Sequence, residues 1–130
     1  KLMAIARSNN TTTGTLRATW RAAERHVNAM PCPNRDLQSR LALLEADIDG
    51  FEDLEARLLG GHPMLRPASC SSLLKLKATE LRQKITELGL EAQPHDGLAQ
   101  KQYLSTRAAT IYSGTSEIHR NGLAHAIGCP

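Results

Sequence analysis

The residues best placed to do chemistry lie between Thr110 and Asn121, where a glycine turn leads into a predicted helix. Gly114 permits backbone conformations that other residues avoid, and so lets the chain approach a ligand closely. Thr115 or Ser116 can cap the helix that follows, and free N–H groups at a helix N-terminus attract anions such as phosphate. The segment is therefore either a binding turn for an anionic ligand or the start of an ordinary capped helix.

Histidines and arginines provide two weaker signals. His119 and His125 are six residues apart, which puts them on different faces of one helix, and no Glu-x-x-His pattern of the kind found in di-iron bundles occurs. We therefore predict no metal site and place the histidines at the surface or in turns. Arg17, Arg21 and Arg25 form a basic stripe, which is either an anion or subunit contact or, as we favour, a solvated face partly paired with the acidic second helix.

The elements that must position these residues are helical. Apolar residues recur at steps of three and four along three long segments, which is the spacing of one helix face. The first predicted helix has Thr13 as its candidate N-cap, and the second runs from about Asn34. The third starts after Pro67, the fourth runs from about Leu98, and a last short helix opens at Thr115. The predicted core stripes are Leu16, Trp20, Ala23, Val27, Met30; Leu37, Leu41, Leu44, Ile48, Phe51, Leu54, Leu58; Leu74, Ala78, Leu81, Ile85, Leu88; and Leu104, Ala108, Ile111.

The composition agrees with an aliphatic helical core. Hydrophobic residues make up 41% of the 130 residues but aromatic residues only 3%, whereas strand-rich folds favour β-branched and aromatic side chains. We therefore predict an all-α fold, an up-and-down four-helix bundle with an extra C-terminal helix, as one domain over residues 1–130.

Charge, cysteine content and hydropathy bear on the partners of the protein, its cell compartment and whether it crosses a membrane. The net charge of +3 is too small, and aromatic residues are too sparse, to indicate a nucleic-acid partner. Three cysteines without a Cys-x-x-Cys pair favour a reducing cytoplasm over a disulfide scaffold. No apolar run is long enough to cross a bilayer, so the sequence predicts no membrane span.

Two segments resemble those of a known family. The run Ile111-Tyr112-Ser113-Gly114-Thr115-Ser116-Glu117-Ile118-His119-Arg120 is similar to the C-terminal signature of acyl-CoA dehydrogenases, I-Y-x-G-[TS]-[SN]-[EQ]-I-Q-R, and departs from its fixed positions only at His119. Upstream, the run from Ser72 to Leu81 resembles the family's S-x-L-K-x-x-x-[TS]-E segment at the expected distance. The chain thus looks like the C-terminal helical bundle of such an enzyme, as a fragment.

The resemblance implies a flavoenzyme of fatty acid metabolism. Family members bind FAD and remove two hydrogens from Cα and Cβ of an acyl-CoA thioester, and they associate into homo- or hetero-oligomers. The signature turn lies beside the flavin and the thioester in the family. The positions that it assigns to cofactor binding are Gly114, Thr115, Ser116, Glu117 and Ile118.

Two departures from the family pattern bear on activity. Many members carry the catalytic glutamate where this chain has Ser113, so we assign no catalytic residue here. A glycine-rich, glutamine-containing loop that helps to hold FAD in many members is reduced to Gln93 and Gly97. We therefore expect a domain of an FAD-dependent acyl-CoA dehydrogenase that is inactive alone. The alternative is a non-catalytic subunit or helical assembly module of a heteromeric dehydrogenase.

Overall fold

The computed structural model describes residues 11–60 and 67–129, and every regular element in these two ranges is helical. The elements are α1 (Thr13–Asn28), α2 (Arg35–Leu59), α3 (Pro67–Ala92), α4 (Gly97–Arg107), a 3-10 turn (Ala108–Thr110) and α5 (Ser116–Ala126). The predicted all-α fold is confirmed, and α5 is the additional C-terminal helix. None of the described helices is long and apolar enough to cross a membrane.

Side-chain caps explain where three of the helices begin. Asn34 accepts hydrogen bonds from the N–H groups of Asp36 and Leu37 at the start of α2, and Asp96 accepts one from Leu98 at the start of α4. The sequence predicted Thr13 as the cap of α1, but in the structure the cap is Thr12. Thr13 is already helical because Glu55 of α2 binds both its N–H, at 3.1 Å, and its hydroxyl, at 2.6 Å.

The aliphatic core lies between α1, α2 and α3. All five predicted core residues of α3 are buried, and in α1 and α2 the predicted residues are either buried or half-buried against the same cluster. The fully buried large apolar side chains are Leu16, Leu37, Ile48, Ile85 and Leu88. Helical spacing therefore identified the packed face of each of these three helices correctly.

Helix α4 packs differently from the prediction. Leu104, Ala108 and Ile111, which we expected in the core, are exposed, and the residues that face inward are Ala99 and Thr106. Thr106 fits against α3 because its hydroxyl lies 3.1 Å from that of Thr86, while the Gln83 amide donates to its carbonyl at 2.9 Å. The apolar stripe of α4 consequently points away from α3.

Opposite charges align the antiparallel helices α1 and α2. Arg17 contacts both Asp49, at 2.7 Å, and Glu52, and these two hydrogen bonds raise the pKa of its guanidinium. Arg21 and Arg25 are exposed, so the stripe is a solvated face of which Arg17 is the paired end. Such exposed pairs contribute little to stability, and they fix register more than they hold the fold together.

Truncation in the core should separate packing from surface effects. We expect Ile85→Ala to lower the free energy of unfolding by about 2–5 kcal/mol, because the side chain is fully buried and its removal leaves a cavity. The matched control Leu43→Ala removes a side chain that is 68% exposed and should change it by less than about 0.5 kcal/mol. Urea titration followed by circular dichroism measures both, and equal losses would contradict the assigned core.

Candidate functional site

The segment that leads into α5 is a tight turn with two consecutive residues at positive φ. Ser113 has φ of 57° and Gly114 has φ of 92°, a region that favours glycine. A Cβ atom at Gly114 would lie 2.8 Å from Nε2 of His119, so a side chain has no room there either. The turn therefore requires glycine at position 114 for both its backbone conformation and its packing.

Lys75 of α3 binds the turn through a hydrogen bond. Its side chain is only 4% exposed, and Nζ donates to the carbonyl oxygen of Gly114 at 2.6 Å. Burial lowers the pKa of the Lys75 ammonium, and the nearby carboxylate of Glu117 acts in the opposite direction. A buried cation is thus used to hold a single backbone carbonyl.

His119 holds the preceding carbonyl. Its Nε2 lies 3.0 Å from the carbonyl oxygen of Ser113, and its Nδ1 lies 3.0 Å from Oγ of Ser72 on α3. In the neutral ring, an Nε2–H group donates to the carbonyl, and Nδ1 accepts from the Ser72 hydroxyl. This half-buried residue is therefore a bridge between α3, the turn and α5. His119 lies at the turn, as the sequence predicted for the histidines, but its contacts with Ser72 and Ser113 were not predicted.

The N-terminus of α5 is capped by Thr115. Its side-chain oxygen accepts from the N–H of Ile118 at 3.4 Å, and the helix begins at Ser116. Hydrogen bonds from the N–H of Glu117 itself and then from the Thr115 hydroxyl lower the pKa of the Glu117 carboxyl. One turn later, Arg120 reaches Glu80 of α3 at 3.1 Å, which gives α5 a second tie to that helix besides the contact of His119 with Ser72.

The residues that we assigned to cofactor binding lie together, with different exposures. Ser116 is buried, Gly114 and Thr115 are half-buried, and Glu117 and Ile118 are exposed at the start of α5. The side chain of Ser113 is also exposed. A ligand beside this turn would meet backbone N–H groups, one carboxylate and the apolar side chain of Ile118.

Comparison with known proteins identifies the family of the chain. Residues 3–128 match the family model described as acyl-CoA dehydrogenase, C-terminal domain. The chain belongs to the acyl-CoA dehydrogenase family. A crystal structure of an FAD-dependent dehydrogenase has the same fold, with a TM-score of 0.73 and 12% sequence identity over 91% of this chain. The chain spans 35% of that structure. No curated protein sequence matches this chain.

The two family segments touch one another at three places in this acyl-CoA dehydrogenase domain. The upstream segment supplies Ser72, Lys75 and Glu80, which contact His119, the Gly114 carbonyl and Arg120 respectively. The sequence predicted that both segments matter but did not assign Ser72 or Lys75 to the site. Their partners are 47 and 39 positions away, a separation that no local pattern detects.

The loop between α3 and α4 is occupied by structural contacts. The side-chain amide of Gln93 donates to the His26 carbonyl at 3.4 Å, and Asp96 caps α4 and lies 3.2 Å from the His26 ring. This loop of the domain therefore ties α1 to α4. Within residues 11–60 and 67–129, no group of three or more His, Cys, Asp or Glu side chains is arranged to hold a metal ion.

Removal of the Thr115 hydroxyl tests the cap. Thr115→Val keeps the shape of the side chain but loses the acceptor for Ile118, so the free energy of unfolding should fall by about 0.5–2 kcal/mol. The 3.4 Å distance favours the lower end of this range. As a control, Thr19→Val removes a hydroxyl that only donates to the Thr15 carbonyl within α1 and should cost less. Equal costs in thermal or urea unfolding would argue against a capping role.

Proposed function

We propose that the protein containing this domain is an FAD-dependent acyl-CoA dehydrogenase that oxidises the Cα–Cβ bond of acyl-CoA thioesters. Such an activity belongs to fatty acid metabolism, and the free cysteines Cys32, Cys70 and Cys129 are compatible with a cytoplasmic location. We further propose that residues 1–130 form a single domain. The observation that carries the functional proposal is the direct contact between the two family segments, because it builds one defined turn.

The turn has groups that suit a flavin. Among the described hydrogen bonds outside the helices, none has the N–H group of Gly114 or Thr115 as donor, and Ser116 lies in the first turn of α5, where N–H groups lack partners within the helix. We propose that these N–H groups face the ligand. Ile118 is 63% exposed beside them and offers an apolar contact for a ring system. We propose that Gly114, Thr115, Ser116, Glu117 and Ile118 hold FAD. The flavin, when bound, supplies the hydride acceptor for the reaction.

This domain contributes binding and orientation rather than proton transfer. The hydroxyl of Ser113 is too weak a base to remove the α-proton of a thioester. We do not propose Glu117 as a substitute at the turn, because hydrogen bonds within the cap lower the pKa of its carboxyl and make it a weaker base. We therefore propose no catalytic residue within residues 111–121.

A specific observation also favours a second candidate, a non-catalytic subunit or helical assembly module of a heteromeric dehydrogenase. Position 113 carries no carboxylate, and Gln93 is bound to the His26 carbonyl rather than left available to a cofactor. In that case the turn would persist as a structural junction between α3 and α5. Flavin content separates the two candidates, since only the first needs FAD at this turn.

Activity of the full-length protein provides the main test. We expect acyl-CoA-dependent reduction of an electron-accepting dye by the FAD-loaded protein, and we expect none from residues 1–130 alone, which lack a base at position 113. In the full-length protein, Thr115→Val should also release FAD during dilution and gel filtration. A full-length protein that binds no FAD would favour the assembly module, and turnover by residues 1–130 alone would contradict our assignment of no catalytic residue.

The outer face of α4 indicates a partner. Leu104 of α4 and Ile111, which follows the 3-10 turn, are 66% and 69% exposed, and exposed large apolar side chains favour association. We propose that the domain packs in a homo- or hetero-oligomer through this face.

Self-association of residues 1–130 should therefore be measurable. We expect light scattering to show a mass above that of a monomer, and Leu104→Glu to shift it toward the monomer because a charge would be buried. The control Ser105→Glu adds the same charge at an exposed neighbouring position and should leave association unchanged. A monomeric wild-type chain at high concentration would contradict the proposed face.

A further inference from the structure

We propose that Lys75 and the Ser72–His119 pair are positioning residues, which fix the direction in which the backbone N–H groups of Gly114 and Thr115 face the cofactor. This inference rests on the proposed function, because it assumes that the turn meets a flavin. It adds residues of α3 that contact the turn from the side opposite to the ligand. Neither Lys75 nor Ser72 would touch the cofactor.

The geometry follows from the planarity of the peptide bond. In a trans peptide the carbonyl oxygen and the following N–H point in opposite directions. Lys75 draws the Gly114 carbonyl toward α3, so the N–H of Thr115 points away from that helix. His119 binds the Ser113 carbonyl, and the N–H of Gly114 is turned away from the imidazole in the same manner. These two contacts thus fix the directions of two adjacent backbone donors, the N–H groups of Gly114 and Thr115.

Positive φ makes such contacts necessary. A residue such as Ser113, which has a Cβ atom and a φ of 57°, sits in a sparsely populated region and returns to negative φ unless its surroundings hold it. Free rotation of the two peptide planes would let the carbonyl oxygens replace the N–H groups on the ligand side. A flavin would then meet acceptors instead of donors. Binding of both carbonyls by protein groups prevents this exchange.

A buried lysine such as Lys75 is unfavourable for the stability of a helix bundle. None of the described ion pairs includes it, although its side chain is 96% removed from solvent by the packing of α3, the turn and α5. The Glu117 carboxylate favours the charged form of Lys75 but forms no ion pair with it, and the larger effect of burial opposes folding. Methionine has a similar length and no charge, so Lys75→Met should preserve the bundle while it removes the donor to the Gly114 carbonyl. Stability and cofactor binding should therefore respond in opposite ways.

The first experiment compares Lys75→Met with Lys77→Met in the full-length protein. Lys77 lies two residues along α3 and is exposed, so it is a matched control for loss of one positive charge. We expect Lys75→Met to weaken FAD binding by about tenfold while the melting temperature of the apoprotein stays the same or rises. Lys77→Met should change neither. Unchanged FAD affinity, or a loss of affinity that only accompanies a lower melting temperature, would overturn the proposal.

A second measurement does not need the cofactor, and so separates this inference from the proposed function. Amide nuclear magnetic resonance spectra of the apoprotein should show that Lys75→Met shifts the Gly114 and Thr115 signals more than those at the C-terminal end of α5. Lys77→Met should leave them in place. If Gly114 and Thr115 do not respond, the positioning role is wrong even in a protein that binds FAD. If the Gly114 and Thr115 signals respond in a protein that binds no FAD, the proposed function is wrong, but the role of Lys75 in orienting the turn is supported.

Substitutions that keep or remove the hydrogen bonds of His119 test its role. Glutamine, the residue at this position in the family pattern, has an NH2 group that can donate to the Ser113 carbonyl and a carbonyl oxygen that can accept from the Ser72 hydroxyl. We expect His119→Gln to keep FAD affinity and His119→Leu to lose it, with Ser72→Ala in between. The exposed His125 supplies the control His125→Leu, which should have no effect. Equal affinities of the glutamine and leucine variants would overturn the role of His119.

Discussion

Helix α3 has to satisfy two different environments, and the rest of the domain depends on how it does so. One face carries Leu74, Ala78, Leu81, Ile85 and Leu88 and is buried against α1 and α2. The other side carries Ser72, Lys75 and Thr86, which contact the turn, α5 and α4 through hydrogen bonds. Because α3 packs on several sides, it has buried polar residues, among them Lys75 and Thr86, in addition to its apolar stripe. Its polar side has to find partners, because buried polar groups without them oppose folding.

This division separates stability from function along one helix. Among the described residues, the core cluster is drawn from α1, α2 and α3, while α4 and α5 contribute no member to it and make hydrogen bonds and an ion pair with α3. Apolar burial contributes most of the free energy of folding, so the first three helices form the stable part. The segment that carries the turn belongs to the less strongly held part, as ligand-binding segments commonly do. Its geometry therefore depends on a few specific hydrogen bonds.

The same division explains what the sequence could predict. Stripes of Leu, Ile and Ala at helical spacing identified the packed faces of α1, α2 and α3, because apolar burial alone selects them. The rule failed in α4, where Ala99 and Thr106 face α3 and Leu104 does not, since a shared threonine contact and small size decide that packing. The turn was located from its glycine and its cap. Its ties to Lys75 and Ser72 were not, because hydrogen bonds between distant segments have no period in sequence.

The conformation of the turn also explains how the site can keep its shape without a carboxylate at position 113. The backbone there is held through the carbonyl oxygens of Ser113 and Gly114, which His119 and Lys75 bind. The side chain of Ser113 is exposed and takes no part in these contacts. Exchange of that side chain between glutamate and serine therefore changes the chemistry available at the turn while the backbone donors stay where they are. In the proposed function, the cofactor would contact the backbone at this turn and proton abstraction would use the side chain, so a serine at position 113 is compatible with the proposed flavin site.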